Sequence, residues 1–111
     1  MSPSDFDLEL EELYNKSAGR LIASESFDGA AFARLYEYLS HKAELIKTEH
    51  VVSKQVVTAL LSVQSAIENA APYNPQAKEG LPFVGKFSML LGLIAIGESP
   101  RDRQPGVPRV V

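Results

Sequence analysis

The chain has 111 residues, 45% of them hydrophobic and 23% charged, with a formal net charge of -3 and no cysteine. That length holds one domain, and that apolar fraction builds a core without staples. The acidic balance argues against a general nucleic-acid binder, which neutralises phosphates with Lys and Arg. The missing cysteines exclude disulfides, thiolate metal sites and thiol nucleophiles, and they fit a reducing, cytoplasmic setting. The start, MSPSDFDLELEE, is acidic and lacks the basic and apolar regions of a signal peptide.

Residues 5–23 repeat apolar positions at helical spacing. Ser4 with Asp7 three residues on gives a capping-box-like start. Asp5, Glu9, Glu12, Lys16 and Arg20 form a solvated stripe, and Phe6, Leu10, Leu13, Tyr14 and Leu21 lie on the other side. Acidic residues sit at the positive end of the helix dipole, so the stretch 5–12 is a dipole-matched helix start rather than a cation site. Gly19 marks a weak point where this helix can end.

Ser24, Ser26 and Asp28 are candidate N-caps for a second helix over 28–47. Its core stripe is Phe32, Leu35, Tyr36, Leu39, Ala43 and Ile46. A second apolar stripe, Phe27, Ala31, Tyr38 and Leu45, lies almost opposite. Two such stripes predict contact on both sides, so Phe27, Tyr38 and Leu45 are the candidate partner-binding residues. Residues 47–53 contain neither Gly nor Pro, leaving one long helix open as an alternative. A break near 48–53 keeps both helices at ordinary globular length. Residues 52–71 are apolar over more than half the helix circumference, with Lys54, Thr58, Ser62, Ser65 and Asn69 as a narrow polar strip. That pattern predicts a central helix.

Residues 72–82, with three prolines, read as a loop. The stretch 83–97 is almost wholly apolar and suits a buried helix, with Gly92 admitting a close neighbour; a buried strand is the alternative. Its apolar run, 87–96, falls short of the roughly 20 residues that span a bilayer. The bundle domain is assigned to 1–98. Residues 99–111, rich in Pro and Arg, are expected to be an extended tail, a docking peptide or a linker remnant.

Four constellations carry chemistry on paper. Gly80–Phe87 nearly spells a phosphate-binding loop, but Phe87 stands where a Mg²⁺-binding hydroxyl is required and Pro82 removes an amide. His41 is followed by Glu44 and Leu45 where a phosphotransfer histidine needs Lys and Gly, and a carboxylate there repels phosphate. Glu37, His41 and Glu44 share a face, yet the chain has no Glu-x-x-His pair of the di-iron kind. Two histidines, both in or beside the second helix, offer no base for a serine nucleophile.

These observations predict an all-α, three- or four-helix bundle with an extended C-terminal tail. They predict a non-enzymatic protein–protein interaction module: a small cytoplasmic adaptor, inhibitor or immunity-type factor, with a homodimer as one form of the interaction. No cofactor, metal, nucleic acid or membrane span is expected. The alternative is a bundle that binds an apolar small molecule or lipid near residues 83–90, lined by Phe83, Phe87, Met89 and Leu90; an enzyme ranks third.

Overall fold

The computed structural model of the protein describes residues 6–103, and every described element is helical. The fold is all-α, as the periodicity predicts. Helix α1 spans Leu8–Tyr14 and passes through a π-helical turn, Asn15–Gly19, into α2, Arg20–Ser24. Its N-cap is Asp7, whose carboxylate accepts from the Leu10 N–H at 3.0 Å. Asp7 therefore takes the capping role assigned to Ser4, which lies outside the described residues. Nor does the helix stop at Gly19. The π turn carries it on to Glu25, which takes the left-handed conformation (φ 54°) and closes the end by donating its N–H to the Leu21 carbonyl. Asn74 Nδ2 donates to the Glu25 carbonyl at 2.8 Å and holds that turn in place.

Helix α3, Gly29–Ile46, begins at Asp28, which accepts from the N–H groups of Ala30 and Ala31. Phe32, Leu35, Leu39, Ala43 and Ile46 are buried, and Tyr36 is half-buried. A break does separate it from α4, Lys54–Ala70. The Ser53 hydroxyl supplies the start signal by accepting from the Val56 N–H at 3.2 Å. The expected loop 72–82 contains a short helix, α5, Pro75–Glu79, capped by Asn74. Asn-Pro at N-cap and N1 is the local signal for it.

Helix α6 spans Leu81–Ala95, so the apolar stretch is helix and not strand. It buries Phe87, Leu90, Leu93 and Ile94 but leaves Met89 exposed. Gly92 faces open space rather than a close neighbour, contrary to the packing role expected of it. Beyond it, Gly97 has φ +75° and lies against the Lys47 carbonyl, where a Cβ would approach to 3.1 Å.

Long-range contacts give the helix directions. Asp7 meets Tyr38 and Lys42 late in α3 and Gln55 early in α4. The α1–α2 rod thus runs antiparallel to α3 and parallel to α4. Phe83 meets Phe32, and Gly97 meets Lys47, so α6 runs parallel to α3. Since α3 packs on α1 and α6, and α4 on α2 and α6, the rods form a ring in the order α1–α2, α3, α6, α4. The segment 47–53 crosses the bundle end diagonally. The core runs from Leu10 through Leu35, Leu39, Leu60 and Val63 to Phe87 and Leu90.

The expected tail begins with ordered structure. Pro100–Arg103 is a 3₁₀ turn, α3 contacts it, and Ser99 is fully buried. The Ser99 hydroxyl donates to Glu44, and its N–H donates to Asp102 at 3.0 Å. Ser99-Pro100-Arg101-Asp102 has the spacing of a capping box and makes half of it, Asp102 accepting from the Ser99 N–H, with Pro at the first turn position; this local signal is outweighed in the sequence by its proline content. The rest of the expected tail, 104–111, lies outside the described residues.

Candidate functional site

The polar groups converge on Asp7. Gln55 clamps its backbone with both ends of one amide: Oε1 accepts from the Asp7 N–H at 2.7 Å, and Nε2 donates to the Asp7 carbonyl at 2.8 Å. Tyr38 Oη and Lys42 Nζ each donate to Oδ2 at 2.5 Å. Burial pushes the Asp7 carboxyl up, but hydrogen bonds from Lys42, Tyr38 and Leu10 together outweigh it and hold the group at about 2. Burial, then the bond to Asp7, push the Tyr38 phenol above its ordinary value. Both oxygens of this carboxylate are hydrogen-bonded, and the side chains of Asp7 and Lys42 are only 12% and 16% exposed. The cluster is a structural node that ties α1 to α3 and α4.

A smaller cluster holds the end of α3. Lys47 bridges Glu44 at 2.9 Å and Asp102 at 3.4 Å. The Ser99 hydroxyl, then Lys47, lower the Glu44 carboxyl, so one acid of the Glu37–His41–Glu44 face is already engaged. Among the described residues no group of three His, Asp or Glu side chains is arranged to hold a metal ion. The near-phosphate-loop is also structural. Gly80 lies buried under the Phe27 ring, and the Lys86 amine sits 5.7 Å from the Tyr36 ring centroid and 5.6 Å from that of Phe83.

The three candidate partner-binding residues separate. Phe27 stacks on Phe32 with centroids 4.8 Å apart, and Tyr38 binds Asp7. Helix α3 starts at Gly29, so Phe27 precedes it and the helical phase does not apply. Leu45 is 65% exposed. A contact between this stripe and a second molecule rests on Leu45 alone. Leu45→Glu is expected to shift the melting temperature by no more than about 4 °C, as a surface substitution does. A larger fall in a thermal melt would show that Leu45 is covered in solution.

Of the residues of the apolar-ligand alternative, Met89 is exposed and the other three pack in or against the core. Phe87 and Leu90 are fully buried, and the Phe83 ring lies between those of Phe32 and Phe87, 6.0 and 6.2 Å away.

Open space lies on the other side of the bundle. Two depressions that share Tyr14 and Ser62 run along the seam between α1–α2 and α4. One, of about 510 Å³, lies between Phe6, Leu10 and Tyr14 on one wall and Lys54, Thr58 and Ser62 on the other. The second, of about 690 Å³, lies between Leu21 and Ile22 and the second half of α4, and is closed by Tyr73. Small side chains on α4, among them Ala59, Ser62, Ser65 and Ala66, leave this channel empty. The π turn contributes too: Ser17 and Ala18 are fully buried where it packs on α3 and α4. The Ser17 hydroxyl turns back to the carbonyls of Leu13 and Tyr14 and stabilises the widened turn. Phe6, Ile22, Leu61 and Tyr73 border the groove and are 58%, 65%, 53% and 86% exposed. On α4 the sequence presents this face only as the polar strip. Its one legible signal is Leu61, an exposed leucine at seven-residue spacing between Lys54 and Glu68.

No protein-family model, curated protein or solved structure matches this chain. No helix among the described residues is long and apolar enough to cross a membrane.

Proposed function

We propose that this protein is a non-enzymatic protein–protein interaction module that receives an amphipathic helix in the groove along α1–α2 and α4. The observation that carries this reading is the border of four exposed apolar side chains around a channel floored by small ones. At 1.5 Å per residue, the α4 wall is roughly 25 Å long, the scale of helix-in-groove recognition. The commitment of the Asp7 carboxylate to Leu10, Tyr38 and Lys42 supports a binding role over a catalytic one. The cysteine-free composition supports a cytoplasmic setting, and the net charge of -3 supports a protein partner over nucleic acid.

A displayed library of amphipathic helical peptides, panned on the protein, tests this. Binders are expected whose affinity falls at least about tenfold in Ser65→Arg, which fills the channel, and is unchanged in Leu45→Glu. Failure to select binders, or binders indifferent to Ser65→Arg, would overturn the assignment of the groove.

A further inference from the structure

We infer that the outer face of α6 binds the same face of a second copy of the chain, antiparallel, about a twofold axis between Ser88 and Met89. This surface is separate from the groove. In the ring of helices α6 stands diagonally across from the α1–α2 rod, so a partner on its outer face leaves the groove open. Leu81, Gly85, Ser88, Met89, Gly92 and, just past the helix end, Ile96 are all exposed. At 100° per residue they share an arc of about 100°, opposite the side that buries Phe87, Leu90 and Ile94. None of them is charged. Lys86, the one charged residue of α6, turns its amine onto the rings of Tyr36 and Phe83.

The glycines favour a helix as the occupant over a lipid surface. A glycine within a helix destabilises it relative to alanine. A Cβ at Gly85 or Gly92 would meet nothing within 4 Å, so no packing inside the chain offsets that cost. Together with Ser88 they offer lipid little apolar area, but they let a second backbone approach closely. Shape then favours a second copy. Gly85, Ser88, Met89 and Gly92 stand at i, i+3, i+4 and i+7, the four corners of a hole for a facing side chain. Three of the corners are small, and the fourth, Met89, is 66% exposed and is itself a knob. The antiparallel twofold sets Met89 opposite Ser88, Gly85 opposite Gly92 and Leu81 opposite Ile96, each pair twice. Each Met89 then enters the hole of the other copy, as an isologous interface requires. A parallel copy in the same register sets Met89 against Met89 and holds the helices apart where the glycines would close. Helix α6 is roughly 22 Å long, and one such strip falls below the ~800 Å² per partner of a standard interface, so the dimer is expected to dissociate on the order of 10–100 µM.

Sedimentation velocity on the full chain up to about 1 mM, with CD as a fold control, tests the contact. The wild type is expected to dimerise. Gly85→Gln and Gly92→Gln are each expected to raise the dissociation constant at least about tenfold, while raising the melting temperature of the dilute monomer by roughly 3 °C. Ser65→Arg, in the groove, should leave the dimer unchanged. The chain has no cysteine, so single cysteine variants report the orientation. Under mild oxidation Ser88→Cys should cross-link to itself, and Gly85→Cys should cross-link to Gly92→Cys but not to itself. A wild type that stays monomeric, or that binds phosphatidylcholine vesicles through this face instead, would overturn the inference. So would a dimer that neither glycine substitution weakens, glycine variants that lose stability as monomers, or Gly85→Cys cross-linking to itself. None of these outcomes touches the groove, whose own test is the loss of selected helices in Ser65→Arg.

Discussion

Asp7→Ala is expected to cost about 3 kcal/mol in folding stability, the low end of the range for removing one partner of a buried ion pair, because this pair is part-buried. The cost has three sources. The α1 N-terminus loses the acceptor for the Leu10 N–H, worth about 1 kcal/mol. The Tyr38 hydroxyl loses its acceptor in a half-buried place. Lys42 keeps its charge with a side chain only 16% exposed and no partner, which is the largest of the three. Asp7→Asn keeps a cap oxygen and removes only the charge, so it should fall between wild type and Asp7→Ala in urea unfolding. An Asp7→Ala protein within about 1 kcal/mol of wild type would show that Lys42 escapes to solvent when released.

The same carboxylate gives a pH signature. Its folded pKa, about 2, lies below its ordinary 3.8. The group then binds fewer protons folded than unfolded, so its contribution is complete above the unfolded value and is lost as pH falls from about 4 to about 2. The shift corresponds to something on the order of 2 kcal/mol. Wild type should lose this increment on acidification through that window, and Asp7→Asn should lack that component of the loss. The consequence reaches the groove. Asp7 fixes the start of α1 against α4 through Gln55, and Asn74 fixes the end of α2 through Glu25. The groove wall is pinned at both ends by these two contacts, so loosening Asp7 should weaken helix binding along with stability.

The parts of this fold legible in the sequence are those governed by neighbours a few residues away. The Phe32–Leu35–Leu39–Ala43–Ile46 stripe gives α3, and the ordinary length of globular helices places the break before α4 near 48–53. Local signals also exist for α5 and for the Ser99 turn, but proline content masks them, because Pro fits the first turn of a helix as readily as a loop. The site is different in kind. The partners of Asp7 lie 31 to 48 residues away, beyond any periodic pattern. Phe27 looks helical in phase only while α3 is taken to begin before Gly29. The groove joins residues 6–25 to residues 54–75, and its emptiness comes from small side chains that one strand of sequence presents as a solvated strip. Periodicity detects which face of a helix is apolar; it does not detect space between two helices.

Phe32→Ala is the other substitution with a large expected effect, about 3–5 kcal/mol, the range for deleting a buried aromatic side chain. Phe32 is fully buried and touches aromatic rings on two sides, Phe27 at 4.8 Å and Phe83 at 6.0 Å. Its loss leaves a cavity that its neighbours cannot close freely. Phe27 is held over Gly80, where even a Cβ would come within 2.2 Å of the ring, and Phe83 is held by its packing on Phe87 at 6.2 Å. A double-mutant cycle of Phe27→Ala with Phe32→Ala should give a coupling of about 0.5–1.5 kcal/mol, as a stacked pair does. A cost below about 1.5 kcal/mol for Phe32→Ala would show that α3 and α6 collapse into the space, and with it that the aromatic ladder is not what spaces them. The two large substitutions also act on opposite sides of the ring of helices. Phe32 lies at the α3–α6 seam and Asp7 at the end of the α1–α4 seam. Under conditions where both variants stay folded, Asp7→Ala should weaken helix binding in the groove while Phe32→Ala leaves it near wild type, which separates loss of the binding surface from loss of stability alone.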